Sequence, residues 1–222
     1  EAPMLMIHGQ EWQKEYFLPR IASGEILSWS QGFSEPNAGA DLANLQTRAV
    51  RDGDDWLITG QKIWNSQGHH PWVKWGHYLV RTDPEAPKHR GISYLIVDME
   101  SPGLVIRPLI DAFGHRRWSE IFLDNVRVPA RNVIGEENRG WYAAMTTLSF
   151  ERSGIDGPAR RLRDLEDFID FANHTKINGR LLVDDAMVRH TLADVRVEIE
   201  VCRMICYEVA WLQSKGEVPI RE

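Results

Sequence analysis

The stretch TRAVRDGDDWLITGQKIW (residues 47–64) decides the fold of the first half of this chain. Its two arms contain Val, Ile, Thr and Trp, residue types that strands favour, and Asp52-Gly53 stands between them. Asp-Gly between two such arms is a strong signal for a tight turn between antiparallel strands. The stretch therefore predicts a β-hairpin with its turn at Asp52-Gly53.

Short apolar runs of the same kind continue on both sides of this hairpin. They are ILSWSQGF (26–33), HYLVRT (77–82), GISYLIVDM (91–99), LVIRPLI (104–110) and EIFLDNVRVP (120–129). Gly, Pro and Asp residues separate these runs, and no segment with helical spacing lies between them. Strands that follow one another without intervening helices form antiparallel sheets. Residues 25–134 are therefore predicted to form an antiparallel β-barrel or sandwich.

Both flanks of this β-domain have helical patterns, so the predicted fold class is α+β. Residues 1–24 have the pattern of a remnant of an N-terminal helical domain. Residues 138–175 form one long amphipathic stretch, with softening expected at Gly154, Gly157 and Pro158. A second helix follows, and its apolar seam recurs in steps of three and four: Val188, Leu192, Val195, Ile199, Cys202, Cys206 and Val209. We therefore expect residues 135–222 to supply two helices of a bundle that lost sequence or another subunit completes.

The composition excludes several classes of partner. The 222 residues are 43% hydrophobic and 26% charged, which is ordinary for a globular protein, and the formal net charge is −6. That charge argues against nucleic acid or an anionic membrane as a principal partner. No apolar run approaches the ~20 residues of a membrane span. The first residues also lack the basic start of a signal peptide.

The two cysteines, Cys202 and Cys206, lie four residues apart in a helical pattern. Such a pair rarely forms a disulfide, and a metal site would need more ligands. We therefore expect buried free thiols, no metal site, and a reducing, cytoplasmic location.

The stretch SWSQGFSEPNAGADL (28–42) is the strongest local signal for a binding site. Its Ser-Glu-Pro and Asn-Ala-Gly-Ala-Asp make a tight polar turn with many backbone N–H groups, which suits a planar heterocycle or a phosphate. A plain turn at the end of a strand, capped by an aspartate, fits the same residues.

Five segments, in their order and intervals, resemble the acyl-CoA dehydrogenase family. They are SWSQGFSEPNAGADL (28–42), GQKIWNSQG (60–68), RGISYLIVD (90–98), FLDNVRVPARNVIGEENRGW (122–141) and ERSGI (151–155). The resemblance extends over essentially the whole chain. It implies the end of an N-terminal helical domain, a complete middle β-domain and the first half of a C-terminal four-helix bundle.

The resemblance also implies FAD as the cofactor. Ser34 of the Ser-Glu-Pro motif would contact the flavin, with the backbone around Phe33 beside it. In the Lys-x-Trp-x-Ser motif, Trp64 would pack on the isoalloxazine and Ser66 would donate a hydrogen bond near N5. Such donors stabilise the electron density that a flavin gains when it accepts hydride. The alternative for Trp64 is an ordinary buried residue of the β-domain.

The stretch LSFERSGI (148–155) is similar to the place where isovaleryl-CoA and long-chain dehydrogenases carry their catalytic base. Removal of the α-proton of a thioester needs a carboxylate in an apolar pocket, where desolvation raises its pKa toward the working pH. The resemblance implies Glu151 as this base and Arg152 as the arginine beside the acyl-CoA. The alternative is a solvated Glu-Arg helix face, and the flanking Phe150 and Ile155 argue against it.

One motif of the family is absent. Members usually carry Arg-x-x-Phe-Gly between the first two bundle helices, and the arginine reaches the FAD pyrophosphate across a dimer interface. Here HTKINGR (174–180) places Thr175 and Asn178 at those positions, and neither residue supplies the charge or the ring. Some actinobacterial members that degrade steroid side chains pair two different subunits. The resemblance therefore implies a second homologous subunit that supplies the arginine, in an α₂β₂ assembly with one FAD per heterodimer.

Three functions fit these observations. The first is an acyl-CoA dehydrogenase of fatty acid or steroid side-chain β-oxidation, reoxidised by an electron-transfer flavoprotein. The second is a flavin monooxygenase or oxidase on the same fold, and the presence of Glu151 argues against it. The third is a structural or inactive partner subunit.

The basic cluster GHRRW (114–118) has two interpretations: a contact with a CoA phosphate, or a solvated loop.

Overall fold

The computed structural model describes residues 1–151 and 154–216, and the chain divides into two compact units. Residues 1–147 form the first unit, which contains two N-terminal helices and a β-sheet. Residues 148–222 form the second unit, and its described residues are mainly helical, with one small hairpin.

The N-terminal segment forms the expected pair of helices, α1 (Ala2–His8) and α2 (Glu11–Ala22). The break between them is fixed at Gln10, whose backbone N–H donates to Oε1 of Gln13 (3.0 Å) at the start of α2. Gln13 is buried, and its amide donates to the carbonyl of Val133 (3.0 Å). This contact attaches α2 to the segment that follows the last strand of the sheet.

Seven strands form one sheet in the first unit. They are β1 (Ser30–Gly32), β2 (Arg48–Asp52), β3 (Asp55–Ser66), β4 (Trp75–Arg81), β5 (Ile92–Asp98), β6 (Leu104–Leu109) and β7 (Trp118–Pro129). The predicted hairpin is confirmed: β2 and β3 pair antiparallel, and Asp52 lies opposite Asp55. Gly53 in the turn has a φ of 61°, a conformation that glycine adopts without strain.

The sheet is open and mixed. Its strand order is β1-β4-β2-β3-β7-β6, and β5 pairs with β4 outside this order. Most pairs are antiparallel, as predicted, but β1 runs parallel to β4, and β2 meets β4 in parallel through one residue pair. The single β2–β4 pair divides the sheet into two parts, one with β2, β3, β6 and β7 and the other with β1, β4 and β5. Apolar residues from both parts share one core, so the arrangement resembles a sandwich.

Both parts of the sheet contribute to this core. Buried residues of this core include Ile58, Tyr78, Leu95 and Ile121, from β3, β4, β5 and β7 respectively. Helix α3 (Gly140–Glu151) begins against β5, because a Cβ atom at Gly140 would lie 2.3 Å from the backbone nitrogen of Tyr94. A glycine at this position therefore permits close contact between helix and sheet.

The helical stretch predicted over 138–175 is helical but is divided into two helices. Helix α3 ends at Glu151, and α4 (Asp156–His174) begins beyond Gly154, where the sequence predicted softening. Pro158 lies in the first turn of α4, where its missing N–H leaves no hydrogen bond unmade. Strands β8 (Lys176–Ile177) and β9 (Arg180–Leu181) then form a hairpin, and α5 (Ala186–Ser214) follows.

The apolar seam predicted for α5, from Val188 to Val209, is only partly buried. Ile199 is buried, whereas Val195 and Cys202 are exposed and line a cavity of about 610 Å³ between α4 and α5. The cysteines are free, as predicted, but the prediction that they are buried is wrong: Cys202 is exposed and Cys206 is half-buried. The helical spacing predicted that the seam side chains of α5 share one face of the helix. It did not predict how far other residues bury that face.

None of the helices in the described ranges is both long enough and apolar enough to cross a membrane. Within the same ranges, no three His, Cys, Asp or Glu side chains lie close enough together to hold a metal ion.

Candidate functional site

Trp64 lies in a β-bulge near the end of β3. The register between β3 and β7 shifts between Lys62 and Asn65, and within this shift Trp64 has a φ of 63°. The left-handed conformation is strained for a bulky residue, and such strain concentrates at binding sites. The bulge turns the indole outward, so that Trp64 is 60% exposed, with its ring 6.3 Å from that of Trp118. The alternative interpretation of Trp64 as a buried residue is therefore wrong.

Ser66 ends β3, and its side chain is exposed. It borders a cavity of about 420 Å³, whose other walls are Gln67, His70, Arg116, Arg117 and Trp118. The backbone N–H of Gln67 donates to the carbonyl of Arg117 (2.9 Å), which joins the two sides of this cavity. The structure thus brings the basic cluster 114–118 next to Ser66, and the sequence analysis had not connected the two.

Phe33 and Ser34 lie in the loop that follows β1. Phe33 is buried, and its ring lies edge-on to His77 and Tyr94, with centroid distances of 5.8 and 5.7 Å. Ser34 is half-buried, and its carbonyl accepts a hydrogen bond from the backbone N–H of Ile63 (2.9 Å). Since Ile63 precedes Trp64, the two segments that carry the predicted flavin contacts touch one another in the fold.

Glu35 and Lys62 join the same two segments inside the protein. Lys62 is fully buried, and its Nζ donates to Oε1 of Glu35 (2.8 Å) and to the carbonyl of Phe33 (3.2 Å). The carboxylate of Glu35 also accepts the backbone N–H groups of Gln46 (2.6 Å) and Thr47 (2.9 Å). Every carboxylate oxygen of Glu35 is therefore hydrogen-bonded.

The sequence carries a signal for this pair at Lys62, although no motif assigns a role to Glu35 or Lys62. Trp56 and Ile58 face inward at alternate positions of β3, and Lys62 continues this alternation. Lysine is almost never fully buried without a partner. A lysine at an inward position therefore predicts a buried carboxylate nearby, and the Ser-Glu-Pro turn provides it.

The electrostatics of this pair favour the charged forms. Desolvation lowers the pKa of Lys62 to about 8, although the negative charge of Glu35 acts in the opposite direction. Burial acts to raise the pKa of Glu35, but the charge of Lys62 and the hydrogen bonds to the carboxylate outweigh it and lower this pKa. Both groups are therefore charged at neutral pH and form a buried ion pair.

These features fit a flavin. Trp64 offers an exposed aromatic face, and the exposed Ser66 offers a hydroxyl donor two residues further along the bulge. Asn65 lies between them and is buried; its Oδ1 accepts a hydrogen bond from Ser30 (2.8 Å). Its Nδ2 has no hydrogen-bond partner in the part of the chain that the structure describes. An unsatisfied buried donor requires an explanation, and a bound acceptor is one that fits a cofactor site.

Glu151, the predicted base, is the last residue of α3, and its side chain is exposed. Phe150 and Ile155 are also exposed, at 42% and 43%. The apolar enclosure that a carboxylate base requires is therefore absent from the surroundings of Glu151 within the described ranges. Arg152, predicted to lie beside the acyl-CoA, falls outside the residues that the structure describes.

Thr175 and Asn178, at the positions where the resemblance led us to expect an arginine and a phenylalanine, lie at the β8–β9 hairpin. Thr175 caps the end of α4 through its N–H, which donates to the carbonyl of Phe171 (2.9 Å). Asn178 and Gly179 form the turn, with φ values of 52° and 82°. Asn-Gly is a strong sequence signal for such a turn, and it was missing from the predictions above. Position 175 therefore contributes a helix cap and a neutral side chain.

Two family models match the chain. The middle domain of acyl-CoA dehydrogenase matches residues 30–126, and the C-terminal domain of acyl-CoA dehydrogenase matches residues 138–222. The first match begins at β1 and ends within β7, and the second extends from just before α3 across α4 and α5.

Individual relatives agree with these models. Acyl-CoA dehydrogenase FadE26 of Mycobacterium tuberculosis is 43% identical over 217 residues, which are 96% of this chain and 53% of FadE26. The ChsE4-ChsE5 complex from Mycobacterium tuberculosis has a TM-score of 0.83 at 41% identity, covering 96% of this chain and 55% of the matched chain. The Tcur3481-Tcur3483 steroid ACAD has a TM-score of 0.85 at 37% identity, covering 98% and 54%. This chain thus spans about half the length of these relatives.

Proposed function

Because this chain belongs to the acyl-CoA dehydrogenase family, we propose that it acts in the FAD-dependent α,β-dehydrogenation of an acyl-CoA thioester. The observation that carries this proposal is the strained bulge of β3. It presents the exposed Trp64 next to Ser66 and directly beside the Ser34 loop. A structural sheet gains nothing from an exposed indole in a strained conformation, whereas a site for a planar cofactor uses both.

Four residues would hold the cofactor. The Trp64 ring would pack on the isoalloxazine, and the Ser66 hydroxyl would donate a hydrogen bond near N5. Ser34 and the backbone around Phe33 would contact the flavin from the neighbouring loop. Bound FAD would supply the acceptor for the hydride that leaves the β-carbon of the acyl group.

Glu151 would act as the base. Its carboxylate would take the proton from the α-carbon, and Arg152 would hold the acyl-CoA beside it. Since Glu151 is exposed in the described residues, the proposal requires that the complete enzyme encloses this carboxylate in an apolar pocket. In water the carboxylate would be too weak a base for an α-proton.

The neutral Thr175 supports an assembly of two kinds of subunit. A flavin pyrophosphate requires a positive charge, and the hairpin at 175–180 places a threonine where the family has its arginine. The structural relatives named above include a complex of two chains, ChsE4-ChsE5. We therefore expect a homologous second subunit to supply the arginine in an α₂β₂ assembly, and an electron-transfer flavoprotein to reoxidise the flavin.

The acyl group is proposed to be a steroid side chain or a fatty acid. One matched structure is named a steroid ACAD, and several curated relatives are mycobacterial acyl-CoA dehydrogenases. The enzyme would work in the cytoplasm, where acyl-CoA thioesters of β-oxidation are found.

Replacement of Glu151 by glutamine tests the function. In the complete enzyme with its second subunit, Glu151→Gln should lower the anaerobic rate of flavin reduction by acyl-CoA by about 10²–10⁴-fold, because the amide cannot accept the proton. Substrate binding, measured from the shift of the flavin absorbance, should survive.

The matched control is Glu137→Gln, which removes an exposed carboxylate just before α3 and should leave the rate unchanged. A Glu151→Gln enzyme that reduces its flavin at the normal rate would remove Glu151 from the mechanism. A complete protein without bound flavin would instead favour the alternative function, a structural partner subunit, and flavin that reacts with oxygen during turnover would favour a monooxygenase or oxidase.

A further inference from the structure

The two segments that carry the proposed flavin contacts are far apart in sequence and are joined by one buried ion pair. Glu35 follows Phe33 and Ser34 directly, and Lys62 opens the bulge that contains Trp64. Nζ of Lys62 lies 2.8 Å from Oε1 of Glu35 and 3.2 Å from the carbonyl of Phe33. One ammonium group thus bonds both the side chain and the backbone of the opposite segment.

This ion pair is poorly explained by stability alone. Taking two charges out of water costs several kcal/mol per ion, and apolar residues of similar volume are often as stable as a buried pair. The pair does provide fixed geometry, because its hydrogen bonds have defined lengths and directions. The strained φ of 63° at Trp64 persists only if the surrounding structure holds the bulge in place.

The surroundings of the pair fix it further. Glu35 accepts the backbone N–H groups of Gln46 and Thr47, which lead into β2. The guanidinium of Arg81 in β4 donates to the carbonyl of Ala43 (2.7 Å), in the 3₁₀ turn Leu42–Asn44 of the same connection. The loop after β1 is therefore attached to β2, β3 and β4, and Lys62 provides the side-chain attachment next to the backbone hydrogen bond between Ile63 and Ser34.

We propose that Glu35 and Lys62 are positioning residues that hold the Ser34 loop against the Trp64 bulge and thereby set the affinity for the flavin. The proposal rests on the function proposed above. Neither residue contacts the cofactor in this scheme. They act through the backbone hydrogen bond from Ile63 N–H to the Ser34 carbonyl, since Lys62 and Glu35 are the sequence neighbours of the two residues that form it.

Neutral replacements separate positioning from stability. In Glu35→Gln and Lys62→Met, one partner stays buried without its counter-charge, so both variants should lower Tm by about 5 °C or more. The double variant E35Q/K62M has no unpaired charge, and its Tm should recover most of this loss. It still lacks the bonds from Nζ to the opposite segment. Arg127→Met is the control, since Arg127 forms an exposed ion pair with Asp52 and Asp55 at the other end of β3.

The decisive readout is FAD binding by the full-length protein with its second subunit, followed by quenching of flavin fluorescence. The Kd for FAD should rise about tenfold or more in both single variants and stay raised in the double variant, as the loss of a charge-assisted hydrogen bond predicts. Arg127→Met should bind FAD like the wild type. If the double variant regains both the wild-type Tm and the wild-type Kd, the pair is merely structural and the proposal is overturned.

Hydrogen exchange at the amide of Ile63 tests the same proposal without flavin. Its protection should fall about tenfold or more in the double variant, while amides in the β2–β3 hairpin keep theirs. Unchanged protection at Ile63 would refute the positioning role. If the wild-type protein does not bind FAD, the proposed function fails, and the exchange at Ile63 still decides whether the ion pair holds the loop.

Discussion

The two units of this chain differ in how completely they bury their apolar residues. In the first unit, β3, β4, β5 and β7 all contribute fully buried side chains to one core. In the described part of the second unit, the buried apolar residues are Leu165, Ala172 and Ile199. Its exposed apolar residues are more numerous: they include Phe168, Phe171, Val197, Val201, Met204, Ile205, Tyr207 and Trp211.

This difference also distinguishes the two parts of the proposed site: the residues proposed to bind the cofactor lie in the first unit, and Glu151, the proposed base, lies in the second. The residues proposed to contact the flavin lie on a packed sheet, and the buried Glu35–Lys62 ion pair lies beside the strained Trp64. The proposed base lies at the end of a helix whose surroundings are exposed. The residues proposed to hold the cofactor are therefore packed and fixed within the first unit, whereas the carboxylate proposed as the base is exposed.

Truncation of an apolar side chain to alanine should give the largest difference in stability loss between the two units. Ile58→Ala removes a fully buried side chain of the sheet and should cost about 3–4 kcal/mol in the free energy of unfolding. Val195→Ala removes a seam residue that is 37% exposed and should cost less than about 1 kcal/mol. Urea unfolding measures both costs.

Two signals distinguish the units in this experiment. Eight of the nine tryptophans lie in residues 1–147, and Trp211 lies in the second unit, so tryptophan fluorescence follows mainly the sheet. Circular dichroism at helical wavelengths follows mainly the second unit. A cost at Val195 as large as that at Ile58 would mean that the seam is enclosed in solution, and the contrast between the units would disappear.

Acid should weaken the first unit through His77, which is fully buried in β4. Burial lowers the pKa of His77 from 6.5 to about 3, since desolvation opposes its charged form. The unfolded chain binds a proton at this histidine below about pH 6.5, whereas the folded chain does not until about pH 3. The free energy of unfolding should therefore fall as the pH drops through this window, by up to about 1.4 kcal/mol per pH unit.

The variant His77→Phe isolates this effect. It loses the hydrogen bond to the Tyr94 hydroxyl, so it should be less stable at pH 7, yet its stability should change much less between pH 7 and pH 5. His8 and His69, whose pKa values burial also lowers, account for part of the remaining slope. An unchanged slope in His77→Phe would show that another group titrates in this window.

The sequence predicted those parts of the fold that depend on local pattern. The Asp-Gly turn specified the β2–β3 hairpin, and helical spacing specified α5. The parallel pairing of β1 with β4 was not predictable in this way, because strand alternation carries no information about which distant strand becomes the neighbour. The sequence predicted a weak point near Gly154 but not that the helix ends there. A glycine lowers helix stability, and it does not by itself decide whether the helix breaks.

The site was predictable where a motif marks it. Trp64 and Ser66 were found through a resemblance, and the sequence did not reveal that a bulge turns Trp64 outward. A bulge changes the alternation by one residue, and the residues around it look like any other strand. The Glu35–Lys62 pair was missed for a different reason: an inward lysine is recognisable, but its partner comes from a loop that folds back from another strand.

The N-terminus of α5 should give the smallest of these effects, and it tests whether local signals stabilise the second unit. The carboxylate of Asp185 accepts the backbone N–H groups of Met187 (2.8 Å) and Val188 (3.3 Å), so Asp185→Ala should cost about 1 kcal/mol. Asp185→Ser keeps an oxygen acceptor and should recover most of this loss. Circular dichroism during urea unfolding measures both variants. Equal losses in the two would mean that the cap bond contributes little, and that α5 is stable through its packing on α4 despite the exposed seam.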